Sequence, residues 1–245
     1  MKAIILAAGV ARRLAPLTDR TPKCLLPLGD SSLLARMLGA LDDLGVRAAV
    51  VVVGHCAEQV RAAADRWGHR LVIDYVDNPD YRRGSALSLW AARAHLAGPV
   101  LIMDADVLFP RELLRRLLAA PAPSAFALDR GFVDTGEEVK YYAQGERVVA
   151  LGKRVTPPRW EVVGEGVGFF KCGPAAAPLL REALAQVVAA DPDAEYEDAL
   201  HRLVQRHPVG WVDVTGLPWT EVDFPEDLRR AREEVLPRVA RLDAA

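Results

Sequence analysis

Nearly continuous apolar runs alternate with more polar stretches along the first half of the chain. The runs cover residues 3–8, 47–53, 71–76 and 99–103. Runs of this length are typical of strands buried on both faces of a parallel sheet. Helices are predicted between and after them, at 33–44, 56–67 and 86–97 and from Pro110. Regular alternation of strand and helix predicts an α/β fold with a doubly wound, mostly parallel sheet and right-handed crossovers.

Local signals mark where these helices begin. Ser31 or Ser32 can cap the helix at 33–44, which ends before Gly45. A turn-rich loop closes at Ser85, which we expect to be the N-cap of the following helix.

The pattern is less regular after residue 121 and predicts a smaller, mixed region. Glycines at 164, 166 and 168 interrupt one of its apolar runs, and glycine weakens a strand. The predicted elements are strands at 124–128, 140–143, 147–151, 161–171 and 209–214, and helices at 174–188, 194–206 and from Pro225. We therefore expect a single domain over residues 1–245, with one half at 1–120 and a second half, with closing helices, at 121–245.

Composition narrows the class of protein. The 245 residues are 51% hydrophobic, which is enough for one large core. A net charge of −2 and a pI of about 6.2 leave no general basic field, so nucleic acid is not an expected partner. No apolar stretch approaches the roughly 20 residues that span a bilayer. Cys24, Cys56 and Cys172 contain no C-x-x-C pair, and so predict free thiols in a cytoplasmic protein. The oligomeric state stays open.

A long basic loop follows the first strand. It begins at Gly9, carries Arg13 and Lys23 among its cations, and at about twenty residues exceeds common connections. The small residues Ala7 and Ala8 let backbone N–H groups approach an anion, while the cations supply charge. A solvated surface loop is the plain alternative, but we favour a cradle for a polyphosphate.

Two pairs of acidic residues stand at or near strand ends. Asp104 and Asp106 follow the fourth apolar run, and Glu221 and Asp223, two residues apart on an extended segment, share a face. Ligands of open α/β sheets bind outside the carboxyl ends of the strands, where Gly9 and Asp106 both fall. Paired carboxylates can hold a divalent cation. Aspartate is also common in turns, so this interpretation depends on the neighbouring cradle.

The N-terminal segment carries a family resemblance. Residues 6–28 have the order LAAG-x-x-x-RL-x-PLT-x-x-x-PK-x-LLPL. This order resembles the signature of nucleotidyltransferases that join a nucleoside triphosphate to a phosphorylated sugar, alcohol or amine. The resemblance implies a Rossmann-like, GT-A-like fold with a small mixed acceptor-binding subdomain. It departs from the family at Ala11, where a second glycine is usual; if this position needs positive φ, alanine costs roughly 1–2 kcal/mol.

The resemblance implies a nucleotide site in residues 1–120. Its expected nucleotide-binding residues are Leu6, Ala7, Ala8, Gly9, Arg13, Lys23, Gly84, Ser85 and Asp104. Arg13, Lys23 and Asp106 are the expected catalytic residues, because Arg13 would bind the β and γ phosphates and Lys23 the α-phosphate. Asp106 falls on the family's Mg²⁺ aspartate. Asp223, with Glu221 beside it, falls on the second metal-binding acid.

Residues 121–245 would hold the acceptor. Lys153 aligns with a family lysine that contacts the acceptor phosphate, and Glu165 falls where the rest of the acceptor is held. Tyr196 and Trp219 are candidates for an aromatic face toward an ammonium group. A surface lysine, a strand-end glutamate and core aromatic residues are the plain alternatives.

The motifs around Glu165, Tyr196 and Trp219 are most similar to cytidylyltransferases acting on phosphocholine, aminoethylphosphonate or inositol phosphate. That similarity implies Mg²⁺-dependent reaction of CTP with a small phosphorylated or phosphonate acceptor, releasing pyrophosphate. A sugar-1-phosphate nucleotidylyltransferase using UTP, dTTP or GTP is the first alternative. A non-catalytic nucleotide-binding sensor, which Ala11 makes conceivable, is the second. The sequence names neither the base nor the acceptor.

Overall fold

A computed structural model describes residues 1–66 and 71–244. Its strands are β1 (Lys2–Ala7), β2 (Pro27–Leu28), β3 (Ser31–Ser32), β4 (Ala48–Val53), β5 (Val72–Asp77), β6 (Val100–Asp104), β7 (Val107–Leu108), β8 (Ala125–Asp129), β9 (Lys140–Gln144), β10 (Arg147–Gly152), β11 (Val162–Cys172), β12 (Gly210–Asp213) and β13 (Thr220–Glu221). Its α-helices are α1 (Leu33–Asp43), α2 (Ala57–Arg66), α3 (Ser85–Ala91), α4 (Arg111–Leu118), α5 (Ala176–Ala190), α6 (Tyr196–Arg206), α7 (Pro225–Arg230) and α8 (Leu236–Ala244).

A parallel core runs through the centre of the main sheet. Its strands lie in the order β5, β4, β1, β6, and all three pairings are parallel. The chain leaves β1 toward β4 on one side and later returns to β6 on the other, so the switch point lies between β1 and β6. The doubly wound sheet predicted from the apolar runs is confirmed.

Strand β11 joins the two halves of the chain into this sheet. It runs antiparallel to β6, and also antiparallel to β8 and β9. Strand β12 is added parallel to β8, and β10 is added antiparallel to β9. The second half is therefore mixed, as the irregular pattern after residue 121 predicts.

Each face of the sheet is covered by its own helices. Alternate residues of β1 point to opposite faces, so that Ile5 packs in one core with α1 and α4, while Ile4 packs in the other with α3, α5 and α6. A third core lies beneath the N-terminal loop. There Leu14 and Leu28 pack against α7 and the C-terminal helical segment, which anchors the loop to the body of the domain.

Several predicted boundaries need correction. Ser32 caps α1 by accepting the N–H of Ala35 at 3.3 Å, in agreement with one of the two predicted caps. Ser85 is not an N-cap: it is the first residue of α3, and its hydroxyl is used elsewhere. The helix predicted to residue 97 ends at Ala91 and is followed by a 3-10 turn. The predicted end of the second helix, Trp67, lies outside the described residues.

No helix in residues 1–66 or 71–244 is both long and apolar enough to cross a bilayer.

Candidate active site

A cavity of about 230 Å³ opens at the carboxyl ends of β1 and β6. Leu6 pairs with Asp104 in the parallel ladder, and the N–H of Ala105 donates to the carbonyl of Leu6 at 3.3 Å. The ends of the two strands therefore lie side by side. The lining residues are Leu6, Ala7, Ala8, Gly9, Ala11, Lys23, Cys24, Tyr81, Arg83, Ser85, Ser88, Asp104, Ala105, Asp106 and Glu195. Most of the residues expected to bind the nucleotide line this cavity.

Ala11 adopts the left-handed conformation, with φ of 52° and ψ of 51°. Its carbonyl accepts hydrogen bonds from the N–H of Leu14 at 3.0 Å and from the hydroxyl of Thr18 at 2.9 Å. Thr18 is only 2% exposed, so this turn is held from within the protein. The position where the family usually has glycine thus requires positive φ here, and alanine carries a strain of about 1–2 kcal/mol.

Lys23 joins two distant parts of the chain at the mouth of the cavity. Its Nζ lies 2.7 Å from Asp106 Oδ2 and 2.6 Å from Asp223 Oδ1. The lysine side chain is 16% exposed, against 25% for Asp106 and 37% for Asp223. Because the two carboxylates share one nitrogen, the three side chains form a single charged cluster, which we call the Lys23 cluster.

Backbone pairing places Asp223 in this cluster. Strand β13 runs antiparallel to β7, with Glu221 opposite Val107, and the N–H of Val222 donates to the carbonyl of Asp106 at 3.1 Å. The carboxylate of Asp227, in the first turn of α7, accepts the N–H of Asp223 at 3.2 Å. Asp227 also accepts the N–H of Phe224 at 2.9 Å, and it therefore fixes the backbone of Asp223 at the start of α7.

The charges in the Lys23 cluster shift one another's pKa values. Burial works against the ammonium of Lys23, but Asp106 and Asp223 together outweigh it and raise the pKa of Lys23. Burial also opposes ionisation of Asp223, yet Lys23 and Arg13 hold the pKa of Asp223 below its usual value. Lys23 is therefore an ammonium and Asp223 a carboxylate at neutral pH.

Two further acids beside the cluster, Asp104 and Glu221, have raised pKa values, in contrast to Asp223. Burial, followed by the charge of Asp106, raises the pKa of both Asp104 and Glu221. Asp104 is also held by Tyr196, whose hydroxyl donates to Asp104 Oδ2 at 2.7 Å. Tyr196, expected near the acceptor, is thus buried against a residue expected near the nucleotide.

The oxygen atoms of this cluster fit a hard divalent cation. Asp106 Oδ1 is buried and has no hydrogen-bond partner among the described residues, although its other oxygen is bound to Lys23. Carboxylate oxygens are the ligands that Mg²⁺ prefers. Within the described part of the chain, no group of three or more histidine, cysteine or acidic side chains forms a ready-made metal site, because Lys23 lies between the two nearest carboxylates.

Part of the cavity wall is formed by two segments that bind each other. Gly84 lies directly against the carbonyl of Ala194, where no Cβ would fit. Arg83 donates two hydrogen bonds to Asp193, at 2.9 and 2.8 Å. Ser85 lines the cavity but donates its hydroxyl proton to Glu195. Of the two expected base contacts, Ser85 lies at the cavity wall and Gly84 lies behind it.

Arg13 lies outside the cavity lining, beside Asp223 of the cluster. Its Nη1 is 3.6 Å from Asp223 Oδ2 and 3.9 Å from Glu137 Oε2, and its guanidinium lies 5.1 Å from the ring centroid of Phe224. Lys153 Nζ is 3.8 Å from the same Glu137 oxygen. Arg13 and Lys153, expected to bind different substrates, thus converge on one exposed glutamate.

Trp219 and Glu165, which were also expected near the acceptor, lie beside the acidic residues Asp129 and Glu138. Trp219 donates its indole N–H to Asp129 Oδ2 at 2.8 Å, so the ring is fixed beside β8. Glu165 lies opposite Asp129 in the sheet. Burial, followed by the charges of Glu138 and Asp129, raises the pKa of Glu165 to about 7.

Sequence reasoning missed three residues that the fold brings to the site. Glu195 lines the cavity, Glu137 bridges Arg13 and Lys153, and Asp129 binds Trp219. Each is a lone acid in a loop or at an element end. Of the three, only Glu195 could have been found from the sequence, because it directly precedes Tyr196 and the motif that begins there.

A parallel α/β sheet with a cradle of small residues and a lysine between strand-end acids defines a phosphate- or nucleotide-binding protein of the doubly wound class. Comparison with known proteins identifies the family. The model of the MobA-like NTP transferase domain matches residues 3–213, and the chain belongs to this family. The nucleotidyltransferase resemblance of the N-terminal segment is thereby confirmed.

Similar proteins extend the comparison. The chain is 34% identical over 238 residues to a bifunctional IPC transferase and DIPP synthase from Rubrobacter xylanophilus, covering 96% of this chain and 52% of that protein. It is 34% identical over 245 residues to a CMP-5′-(3-aminopropyl)phosphonate synthase from Streptomyces rubellomurinus, covering 94% of this chain and 38% of that protein. The chain thus spans about half or less of these relatives.

One solved structure shows the same fold over nearly the whole length. The inositol-1-phosphate CTP transferase from T. maritima superposes with a TM-score of 0.78 at 21% identity, covering 98% of this chain and 95% of the other.

Proposed function

We propose that this chain catalyses transfer of a cytidylyl group from CTP to a small phosphorylated or phosphonate acceptor. The observation that carries the proposal is the Lys23 cluster, in which one ammonium binds acids from both halves of the chain at 2.6 and 2.7 Å. It lies at the mouth of a cavity lined by Ala7, Ala8 and Gly9. Relatives named for CMP and CTP chemistry support cytosine as the base.

The reaction needs little covalent participation by the protein. An oxygen of the acceptor phosphate or phosphonate attacks the α-phosphorus of CTP, the bond from that phosphorus to the bridging oxygen breaks, and pyrophosphate leaves with the electron pair. A phosphate with a second pKa near 6 is already an anion at neutral pH, so no general base is required. Positioning and charge stabilisation are therefore the tasks of the site.

The residues on each side of the cluster have separate tasks in this proposal. The backbone at Ala8 and Gly9 lies where the phosphates enter, and Lys23 neutralises negative charge on the α-phosphate. Arg13 and Lys153 face the acceptor side and orient its anionic group. Tyr196 keeps Asp104 in place beneath the nucleotide through the 2.7 Å hydrogen bond.

Asp106 and Asp223 are the residues that would hold Mg²⁺, with Glu221 beside them. The unpartnered buried oxygen of Asp106 and the all-oxygen donor set fit this ion. When bound, Mg²⁺ supplies positive charge to the phosphates.

A substrate panel tests the proposal. Purified protein is assayed for pyrophosphate release with CTP, UTP, dTTP, GTP and ATP, each with phosphocholine, aminoethylphosphonate, inositol phosphate and glucose 1-phosphate. We expect release with CTP and one of the first three acceptors. Turnover only with UTP, dTTP or GTP and the sugar phosphate would assign the sugar nucleotidylyltransferase instead. Binding of nucleotide with no release from any pair would assign the sensor and reject both enzymes.

A further inference from the structure

Hydrogen bonds in the cavity wall leave one carboxylate oxygen of Glu195 without a protein partner in the described part of the chain. Glu195 Oε2 accepts the N–H of Ser85 at 3.2 Å and also the hydroxyl proton of Ser85. Glu195 Oε1 has no hydrogen-bond partner among the described residues. Because the side chain lines the cavity, this second oxygen is available to a ligand there.

Two neighbouring groups that could act as donors are already engaged. The Ser85 hydroxyl gives its proton to Glu195 and accepts the N–H of Tyr196 at 2.9 Å. The guanidinium of Arg83 is bound to Asp193. Neither Ser85 nor Arg83 thus has its main donor free for a carbonyl group. Beside Glu195 the lining therefore favours a ligand edge that donates.

Charge distinguishes parts of the cavity lining. Lys23 supplies positive charge, and the nucleotide's phosphates belong beside it under the proposed function. The nucleobase is then directed toward the lining residues Tyr81, Ser85 and Glu195. A carboxylate meets an amino group favourably and a carbonyl oxygen unfavourably, and acceptance from the cytosine amino group is a known use of glutamate.

We infer that Glu195 is the residue that selects cytosine over uracil, by accepting a hydrogen bond from the exocyclic amino group of CTP. This inference rests on the proposed function and adds the means of base selection to it. Uracil has a carbonyl oxygen at the same position, which would face the carboxylate with no proton between them. A charge-assisted contact of this kind corresponds to roughly 10- to 100-fold discrimination.

The substitution Glu195→Gln tests this inference with little change in shape. The glutamine carbonyl can still accept from Ser85, while its amide places a donor where the free carboxylate oxygen was. We expect kcat/KM for CTP to fall and that for UTP to rise, so that their ratio falls at least about tenfold. Dissociation constants for CTP and UTP, measured by titration calorimetry, should change in the same direction.

Asp198→Asn is the matched control. Asp198 lies three residues further along, in the first turn of α6, where it is exposed and does not line the cavity. Its loss should affect CTP and UTP equally. An unchanged ratio in Glu195→Gln, or an equal change of the ratio in both variants, would overturn the inference.

The outcomes separate this inference from the proposed function. If the wild-type protein turns over CTP but the ratio of affinities does not respond to Glu195→Gln, the function stands and the role of Glu195 is rejected. If no triphosphate is turned over, the proposed function fails, and the affinities for CTP and UTP still decide the role of Glu195. A wild-type preference for UTP in binding contradicts the inference directly.

Discussion

The two sides of the cavity handle charge in opposite ways. On the nucleotide side, Lys23 lies within 2.7 Å of two carboxylates, so opposite charges compensate one another inside the fold. On the acceptor side, Glu165 lies among Glu138 and Asp129, and their repulsion adds to burial in raising its pKa to about 7. The Lys23 cluster thus contains a cation bound directly to its carboxylates, whereas acidic neighbours dominate the charge around Glu165. Disrupting each side should therefore have different consequences.

The largest expected effect comes from Asp106 on the nucleotide side. Asp106→Asn keeps the shape of the side chain but removes a charge next to the reacting phosphates, and turnover should fall about 10²–10³-fold. Pyrophosphate release and far-UV circular dichroism would measure activity and folding. Asp30→Asn is the control, because Asp30 is 94% exposed and, within the described part of the chain, forms an ion pair with Arg36 alone. Unchanged turnover in Asp106→Asn would remove Asp106 from the site.

Removing the central cation of the cluster should reduce stability. Lys23→Met leaves Asp106 without its cation and Asp223 with only the more distant Arg13. Because the cluster is partly exposed, we expect the free energy of unfolding at neutral pH to fall by about 2–3 kcal/mol. Millimolar Mg²⁺ should restore more stability to this variant than to the wild type. Urea unfolding with and without Mg²⁺ measures both effects.

Lys2→Met is the control for Lys23→Met, since Lys2 is 3.8 Å from Asp74 at the other end of β1. It should change stability by less than about 1 kcal/mol. Equal loss in the two variants would contradict the special position of Lys23.

The pH dependence of stability should have opposite signs on the two sides. The depressed pKa of Asp223 contributes stability above its usual value of 3.8, and this is lost as the pH falls. The raised pKa of Glu165 lowers stability as the pH rises from 4.5 to about 7. Glu165→Gln should therefore stabilise the protein by about 1 kcal/mol more at about pH 8 than at about pH 5. Thermal unfolding at both values measures this, and a larger gain at the acidic value would contradict the assignment.

The smallest effect is expected at Ala11. Ala11→Gly relieves the left-handed strain but makes the unfolded chain more flexible, so we expect a gain of at most about 1 kcal/mol. Ala62→Gly, in the exposed face of α2, should instead cost about 0.5–1 kcal/mol. The denaturant midpoints of the two variants, each compared with the wild type, would show whether relief of backbone strain at Ala11 outweighs the flexibility that glycine adds to the unfolded chain. A loss at Ala11 as large as that at Ala62 would show that alanine is unstrained there.

The nucleotide side was the easier side to predict from sequence. Parallel strands buried on both faces leave long apolar runs, and their carboxyl ends meet at one edge of the sheet. Gly9 and Asp106 could therefore be placed together from pattern alone. The contact of Lys23 with Asp223 could not, because it depends on the pairing of β13 with β7, two short strands with no periodicity to detect.

Contacts between distant segments were harder to predict. Ser85 was expected to cap α3, but the carboxylate of Glu195, which directly precedes α6, takes its proton. There a tertiary partner prevails over the local preference of the residue. The packing of α6 also brings the hydroxyl of Tyr196 to Asp104, and contact of Tyr196 with the acceptor stays a prediction.

The central claim is that Asp106 and Asp223 act as one unit although they come from opposite halves of the chain. A double-mutant cycle with Asp106→Asn, Asp223→Asn and the double variant, measured as kcat/KM for CTP, tests it most directly. Residues that serve one site together lose function non-additively. The account predicts that the double variant is about as impaired as the worse single variant. A loss equal to the product of the two single losses would show that the two acids act independently and would contradict it.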